Sequence, residues 1–332
     1  MSTQERARES ESESELLPSA PTRRSDSIQA ILPAFNEADN LPSVLTELAA
    51  VLESNFEEWR ILVVDDGSTD GTRQVLRDLS VSLENLQWIR IPRRSGKSNA
   101  LQVAFSQIST DLVLLMDADG QDDPTEIPRL LGRLDSGADL VTGRRTRRRD
   151  RAVKRVTSRF YNWCTSRLTG IDGSDFNSGF KLMRGDVALS VNVYGELHRY
   201  IPVLAAWRGF EVAEVEVNHR ERLHGESKFG GNRFWRGLFD LVTVKFIVTY
   251  DARPFHLIGG LGLMIGALGG GLLVWMLVER ILGSTVGDRP ALLVGILLAV
   301  VGVQLVSVGL LAELIVSLHA RRSNERTYLT GP

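Results

Sequence analysis

Short apolar runs alternate with helix-periodic segments through the first part of the chain. Four runs are typical of buried strands, and three intervening segments repeat apolar residues at helical spacing. The strands are predicted at 28–33, 61–64, 86–91 and 112–116, and the helices at 41–52, 72–79 and 98–108. Because strands and helices alternate, the pattern predicts βαβ units and a mainly parallel sheet covered on both faces.

Two much longer apolar segments lie near the C-terminus. Residues 255–278 carry only His256 as an ionisable group, and residues 291–318 carry only Glu313. Each segment exceeds the roughly 20 residues that an α-helix needs to cross a bilayer core. We therefore predict two transmembrane helices rather than a buried core hairpin.

The charges around these spans predict their orientation. The connection at 279–290 contains Arg280 and Arg289, and basic residues are denser at the outer ends of the spans. Those outer residues are Lys245, Arg253, Arg321, Arg322 and Arg326. By the positive-inside rule, the large domain and the tail at 319–332 face the cytoplasm, and the connection is an extracytoplasmic loop. The sequence thus predicts a multi-pass protein of the cytoplasmic membrane.

Glycines recur at regular spacing in both spans. They are Gly262, Gly266 and Gly270 in the first span and Gly295, Gly302 and Gly309 in the second. Small residues at such spacing allow helices to approach closely. The contact can lie between the two spans or between protomers, and we favour a homo-oligomer.

The remaining segments have distinct compositions. Residues 1–27 are polar and acidic without an apolar signal-peptide core, which predicts a disordered tail. Residues 28–230 form the predicted globular domain. Residues 231–254 mix aromatic, aliphatic and basic side chains, which fits a helix in the membrane interface or an ordinary amphipathic surface helix.

The charge and cysteine content exclude some classes of protein. The formal net charge of -2 gives no indication of nucleic-acid binding, and the single Cys164 excludes an intrachain disulfide or a cysteine zinc cluster. A local basic cluster at 144–155 includes Arg145. Aromatic residues are sparse there, so contact with lipid headgroups or pyrophosphate is favoured over RNA.

Acidic residues follow two of the predicted strands. Asp65 and Asp66 follow the second strand, and Asp117 and Asp119 follow the fourth. Because ligands bind beyond the carboxyl ends of parallel strands, both pairs are expected at one cleft. Paired carboxylates require a compensating cation, and hard oxygen ligands suit Mg²⁺ or Mn²⁺, to which Gln121 can add a neutral oxygen.

The residues after the second strand and the tripeptide at 96–98 each resemble part of a nucleotide- or phosphate-binding site. Asp66 can accept hydrogen bonds from a base or ribose, while Ser68, Thr69 or Asp70 can cap the following helix. The tripeptide at 96–98 looks like the end of a phosphate loop, but Ile91 stands where that motif needs glycine. We reject an ATP site and keep Lys97 as a phosphate contact.

Five motifs occur in an order that resembles family 2 glycosyltransferases. They are Ile31-Leu32-Pro33-Ala34-Phe35-Asn36-Glu37, Val64-Asp65-Asp66-Gly67-Ser68, Asp117-Ala118-Asp119-Gly120-Gln121-Asp122, Asn177-Ser178-Gly179-Phe180-Lys181 and Arg222-x-x-Gly225-x-Ser227-Lys228. The resemblance is strongest to the polyprenyl-phosphate branch, which includes dolichyl-phosphate mannose synthases and bactoprenol glucosyltransferases. Gly120 departs from the leucine found in many relatives.

The resemblance implies a GT-A fold for residues 28–230 and a role for each matching residue. The nucleotide would contact Pro33, Glu37, Asp65, Asp66 and Ala118, in addition to the phosphate contact kept above for Lys97. The metal ion would be held by Asp117, Asp119 and Gln121. Phosphates of the donor or the acceptor would face Arg145, Arg222 and Lys228.

The resemblance also implies a reaction. A sugar would pass from a UDP- or GDP-linked donor to a polyprenyl phosphate, with inversion at the anomeric carbon. A phosphate acceptor is already largely anionic at pH 7, so no strong general base is required. A transferase with another membrane acceptor and a non-catalytic scaffold are the alternatives. The sequence names neither the sugar nor the base.

Overall fold

The computed structural model describes residues 23–145, 178–220, 254–283 and 290–328. The chain divides into two compact units, residues 1–241 and 242–332, and each is described by itself. Several predicted features lie outside the described residues. They are most of the acidic tail, most of the basic cluster, the predicted interfacial helix, the centre of the loop between the spans, and Arg222 and Lys228.

The first unit is built on a seven-stranded sheet, which confirms the α/β prediction. The strands are β1 (Ile28–Ala34), β2 (Trp59–Asp65), β3 (Leu86–Arg90), β4 (Leu112–Leu115), β5 (Leu140–Arg145), β6 (Lys181–Arg184) and β7 (Val212–Val217). Their order is β3-β2-β1-β4-β6-β5-β7. All neighbouring pairs are parallel except those of β6, which runs antiparallel to both β4 and β5.

Helices cover the sheet, and the first three of them lie where the periodic segments predicted helices. The helices are α1 (Leu41–Asn55), α2 (Thr72–Ser82), α3 (Lys97–Phe105), α4 (Ile127–Asp135), α5 (Gly185–Ser190) and α6 (Ile201–Trp207). In α1, Leu41, Leu45, Leu48 and Leu52 lie on one face and are fully buried in the core. Full burial of such a side chain contributes about 1.5–3 kcal/mol, which explains why this periodicity determines the helix.

The strand register brings the acidic loops to one edge of the sheet. Ala34 at the end of β1 pairs with Asp65 at the end of β2. On the other side of β1, Ile31 pairs with Leu115 of β4, two residues before Asp117. Because β6 is antiparallel, its first residue, Lys181, enters at this same edge opposite Leu115.

The second unit is a hairpin of two long helices, α7 (Pro254–Ile281) and α8 (Pro290–Tyr328). Both are long and apolar enough to cross a membrane, and their apolar windows are only 17% and 11% buried. Outward-facing leucines and valines that remain exposed are typical of helices surrounded by lipid. Helix α8 continues ten residues past the predicted end of the span at 318, because the polar segment that follows is also helical.

Glycines allow α7 and α8 to approach each other within the chain. A Cβ atom on Gly302 would lie 2.5 Å from the Cα of Gly266, and one on Gly269 would lie 2.5 Å from the backbone nitrogen of Ala299. The glycine faces therefore serve packing between the two spans, one of the two options that the sequence left open. A Cβ atom on Gly270 would meet no atom of the described residues within 4 Å. Homo-oligomer formation remains a prediction.

Candidate active site

The carboxylate of Asp66 anchors the loop that leads into α3. Its Oδ1 accepts hydrogen bonds from the backbone N–H and the hydroxyl of Ser95, both at 2.7 Å, and its Oδ2 accepts from the N–H of Gly96 at 2.8 Å. Asp66 is only 4% exposed. The residue thus fixes the start of α3, and its predicted contact with a nucleotide remains a prediction.

Asp65 is buried inside the loop that follows β2. Its Oδ1 accepts a hydrogen bond from the N–H of Ser68 at 2.8 Å, and no part of the residue is exposed. The next glycine, Gly67, has a φ of +72°, and a Cβ there would lie 2.6 Å from the backbone nitrogen of Arg94. The loops after β2 and β3 are therefore tightly packed, because glycine satisfies both the left-handed backbone and the close contact.

The loop after β1 is tied to the same region. The N–H of Asn36 donates to the hydroxyl of Ser68 at 2.9 Å, and the N–H of Glu37 donates to the hydroxyl of Thr72 at 3.0 Å. Asp70 accepts from the N–H of Thr72 at 3.0 Å, but the N-cap of α2 is Gly71 and no side chain makes the cap hydrogen bond, so the predicted capping by Ser68, Thr69 or Asp70 is wrong. Burial raises the pKa of Asp70, but hydrogen bonds from Thr72 and Ala38 lower it below the ordinary value.

Asp117 forms an ion pair with Lys97 across the carboxyl edge of the sheet. The Asp117 side chain is 39% exposed and the Lys97 side chain 30%. Burial acts to raise the pKa of Asp117, but the Lys97 ammonium, together with His198 and Lys181, holds it below the ordinary value. The carboxylate is therefore ionised at neutral pH and already has a cationic partner.

Strand β6 positions Asp117 from the opposite side. Leu115 pairs with Lys181, so continuing the antiparallel register places Asp117 opposite Gly179. A Cβ on Gly179 would lie 2.5 Å from the Oδ2 of Asp117. Lys181 itself is 2% exposed, and its amine donates to the backbone carbonyl of Ser178. The sequence identified this motif by resemblance alone and assigned no role to Gly179 or Lys181.

Residues 117–122, which follow β4 and are called the carboxylate loop, are held together by hydrogen bonds to one another. The N–H of Asp117 donates to the Oδ2 of Asp122 at 3.1 Å, and the N–H of Gln121 donates to the Oδ1 of Asp119 at 3.2 Å. Asp119 is 9% exposed, and Ala118 is buried at 3%. Asp117, Asp119 and Gln121 thus belong to one compact loop.

Arg220, which follows β7, also binds the carboxylate loop. The N–H of Arg220 donates to the carbonyl of Gln121 at 2.8 Å, and its guanidinium pairs with Glu47 and Asp123, each at 2.7 Å. The hydrogen bond to Glu47, together with the two carboxylate charges, raises the pKa of Arg220 above its ordinary value despite the opposing effect of burial. Arg220 directly precedes the segment that contains Arg222, so the carboxylate loop and that segment are linked through the backbone.

His198 is a site residue that sequence reasoning missed. Its Nδ1 lies 2.9 Å from the hydroxyl of Ser98, and its backbone N–H donates to the same hydroxyl oxygen at 3.1 Å. Burial, followed by the charges of Lys97, Arg199 and Lys181, lowers the pKa of His198 well below its usual value. The imidazole is therefore neutral at pH 7. No local pattern marks His198, which is 100 residues from Ser98.

These side chains surround a cavity of about 190 Å³. Its polar lining comes chiefly from Lys97, Asp117, Ser178, Lys181, His198 and Arg199, with Pro33 at the end of β1. Arg145 ends β5, which runs parallel to β4, and so lies at the same edge of the sheet. The structure thus brings together Pro33, Lys97 and Asp117, while Asp65, Asp66 and Ala118 lie buried in or beside the adjoining loops.

The oxygen ligands in the carboxylate loop suit a divalent cation that also takes ligands from a substrate. Among the described residues, no group of three or more His, Cys, Asp or Glu side chains is arranged to hold a metal ion. Asp117, Asp119 and Gln121 offer two carboxylates and one amide oxygen. Mg²⁺ commonly binds through one or two carboxylates and completes its shell with phosphate oxygens and water.

The fold and the site define the class of protein. A mainly parallel sheet with an antiparallel β6, loops tied together beyond β1, β2 and β3, and a carboxylate loop after β4 form the GT-A architecture. The sequence model of the family described as "Glycosyl transferase family 2" matches residues 29–195. The chain belongs to glycosyl transferase family 2 and is a glycosyltransferase.

Relatives extend the comparison beyond that domain. The dodecaprenyl-phosphate galacturonate synthase of Rhizobium johnstonii is 33% identical over 309 residues, which cover 91% of each chain. The undecaprenyl-phosphate 4-deoxy-4-formamido-L-arabinose transferase of Aeromonas hydrophila is 31% identical and covers 87% of this chain and 88% of its own.

A solved structure supports the fold. Glucosyl-3-phosphoglycerate synthase from Mycobacterium tuberculosis, in complex with Mn²⁺, UDP-glucose and phosphoglyceric acid, has a TM-score of 0.53 and 21% identity. The similarity covers 66% of this chain and 80% of that one. At this identity the comparison establishes the GT-A fold and nothing about the substrate.

Proposed function

We propose that this protein transfers a sugar from a UDP- or GDP-linked donor to a polyprenyl phosphate at the cytoplasmic face of the membrane. The observation that carries the proposal is the length of the match to the R. johnstonii enzyme, whose name contains a polyprenyl-phosphate product. That match covers 91% of this chain and continues well beyond the family domain, which ends at residue 195. The two apolar helices are in keeping with an acceptor that is itself embedded in lipid.

The chemistry of the carboxylate loop supports metal-dependent donor binding. Asp117, Asp119 and Gln121 would hold Mg²⁺ or Mn²⁺, which would supply charge compensation for the diphosphate of the donor. Lys97 lies beside Asp117 and provides an additional cation for a phosphate oxygen. Arg145, Arg222 and Lys228 remain the proposed contacts to donor or acceptor phosphates.

The proposed reaction is a single displacement. An oxygen of the acceptor phosphate forms a bond to the anomeric carbon while the bond from that carbon to the diphosphate breaks. The nucleoside diphosphate leaves with the electron pair, and the configuration at the anomeric carbon is inverted. Because the second pKa of a phosphate monoester is about 6, the acceptor is already an anion at neutral pH and needs no proton acceptor.

The membrane arrangement completes the proposal. The basic residues at the outer ends of the two spans favour a cytoplasmic catalytic unit and a short extracytoplasmic loop. We expect a homo-oligomer, although the described glycines already pack one span against the other. We expect no nucleic-acid partner.

The test is transfer by the full chain in detergent. Purified protein is incubated with undecaprenyl or dolichyl phosphate, Mg²⁺ or Mn²⁺, and a panel of radiolabelled UDP- and GDP-sugars. A labelled lipid formed from one donor, and lost with Asp117→Asn and with EDTA, supports the proposal. Transfer to diacylglycerol but not to polyprenyl phosphate would assign another membrane acceptor, and the absence of any transfer would favour the scaffold alternative.

A further inference from the structure

Lys97 is held in place by contacts on both sides of it in the chain. On its N-terminal side, the N–H groups of Ser95 and Gly96 are bound by Asp66 at 2.7 and 2.8 Å. On its C-terminal side, the hydroxyl of Ser98 is bound to His198. The backbone at Lys97 is therefore fixed, while its four-carbon side chain keeps the freedom to move.

The partner of Lys97 is the carboxylate to which we assign the metal. Asp117 is fixed by its own N–H, which donates to Asp122, and by the close contact with Gly179. The Lys97 ammonium occupies one oxygen of this carboxylate. A divalent cation bound at the same oxygen would place three positive charges within a few ångströms, where they repel each other strongly. Lys97 and the metal therefore compete for Asp117.

We propose that Lys97 is a placeholder cation. It pairs with Asp117 in the donor-free enzyme, gives way when the metal binds, and then moves to an anionic phosphate of the nucleotide. This inference rests on the metal site in the proposed function. It makes metal and nucleotide binding cooperative, because the nucleotide gives Lys97 a new partner at the moment when the metal takes its old one.

The inference can be tested by Mn²⁺ binding, without any turnover. Mn²⁺ affinity is measured by electron paramagnetic resonance for the full chain in detergent, first alone and then with UDP or GDP. The variants are Lys97→Met, Lys97→Arg, Asp117→Asn and the matched control Arg93→Met. Arg93 is an exposed residue of the same loop, so this control removes one positive charge without removing the ion pair.

The expected effect of Lys97→Met on Mn²⁺ binding differs between Mn²⁺ alone and Mn²⁺ with nucleotide. Lys97→Met binds Mn²⁺ alone roughly 5-fold to 10-fold more tightly than the wild type, since a competing cation is gone. It then gains less from the nucleotide than the wild type does. Lys97→Arg and Arg93→Met bind Mn²⁺ alone with an affinity close to that of the wild type, and Asp117→Asn binds it much more weakly.

Two outcomes would overturn the inference. One is a folded Lys97→Met protein, verified by circular dichroism, that binds Mn²⁺ alone no more tightly than the wild type. The other is an Asp117→Asn protein that binds Mn²⁺ as the wild type does, which would place the metal elsewhere. Neither result depends on the acceptor, so cooperative Mn²⁺ binding without transfer to polyprenyl phosphate would reject the proposed acceptor and support the placeholder.

Discussion

Gly179 leaves no room for a side chain against the carboxylate of Asp117. In Gly179→Ala, the new Cβ would lie 2.5 Å from Oδ2, 2.6 Å from Cγ and 2.8 Å from Oδ1 of Asp117. Relief to an ordinary contact requires a shift of about 1 Å in the carboxylate or in the segment before β6 that carries the glycine. The backbone of Asp117 is bound to Asp122, which opposes a backbone shift there, and we expect the carboxylate to rotate or move away from the new methyl group.

A displacement of about 1 Å at a positioning group can reduce turnover by about 100-fold. We expect Gly179→Ala to lower the transfer rate by this factor and to weaken Mn²⁺ binding, while overpacking costs only about 1–3 kcal/mol of stability. The assay compares the transfer rate at saturating donor, the Mn²⁺ affinity and the melting temperature in detergent.

The matched control is Gly132→Ala, a helical position at which the added Cβ meets no neighbouring atom of the described residues within 4 Å. That variant is expected to keep the wild-type rate and to melt at the same or a slightly higher temperature, because alanine favours helix over glycine. A Gly179→Ala rate within about 3-fold of wild type would refute the reasoning, since it would show that turnover tolerates a carboxylate displaced by about 1 Å.

Three further perturbations follow from the described contacts. Asp66→Asn weakens charge-assisted hydrogen bonds to the loop before α3, so we expect about 2–3 kcal/mol lower stability in thermal melts; an unchanged melting temperature would argue against that anchoring role. The pKa of Asp123 lies below its ordinary value, because hydrogen bonds from Thr125 and the Arg220 charge outweigh burial, which would raise it. The ionised Asp123 therefore stabilises the fold above the unfolded pKa, and this effect is lost as the pH falls through the lowered folded pKa. We expect the melting temperature of Asp123→Asn to fall less in acid than that of the wild type. Parallel pH profiles of the two melting temperatures would contradict this. Gly302→Val places side-chain atoms against the α7 backbone, so we expect about 1–3 kcal/mol of destabilisation in detergent. Gly271→Ala, where the added Cβ meets no neighbouring atom of the described residues within 4 Å, should be neutral, and equal melting of the two variants would contradict the packing.

Local periodicity was sufficient for the first half of the sheet and for the two spans. The predicted strands at 28–33, 61–64 and 112–116 coincide with β1, β2 and β4, because each is a buried apolar run with a turn at its end. The acidic loops could be assigned to one edge for the same reason, since parallel strands share their carboxyl ends. The two long apolar helices were predictable because their apolar runs exceed the length of most helices in soluble proteins; that they cross a membrane stays a prediction.

The rest of the site depends on contacts between distant residues. Strand β6 has four residues and includes the buried Lys181, so neither its length nor its composition predicts a strand inserted antiparallel between β4 and β5. The proximity of Gly179 to Asp117 follows from that insertion alone. The bond between His198 and Ser98 joins a 3₁₀ turn to the start of α3, and no local pattern indicates it.

The charge of the cavity bears on the choice between a phosphate and a hydroxyl acceptor. Among the described residues that line it, Lys97, Lys181 and Arg199 are cationic, Asp117 is the one carboxylate, and His198 is neutral. A donor diphosphate and an acceptor phosphate repel each other, by about 3 kcal/mol for each pair of unit charges at roughly 6 Å and an effective dielectric constant of about 20. The cationic side chains offset part of this repulsion, although Lys97 and Arg199 each have a carboxylate partner, Asp117 and Glu196.

A hydroxyl acceptor would need a general base from the same residues instead of charge compensation. It carries no charge that needs compensation, but it must lose a proton, which requires a general base. Asp117 is paired with Lys97 and is assigned to the metal, and the Nδ1 of His198 already contacts Ser98. Among the described residues that line the cavity, these are the two side chains that can accept a proton, and the pKa of each lies below its ordinary value. A cavity with three cationic side chains, whose proton-accepting groups are already engaged, therefore favours an acceptor that arrives as an anion, as polyprenyl phosphate does.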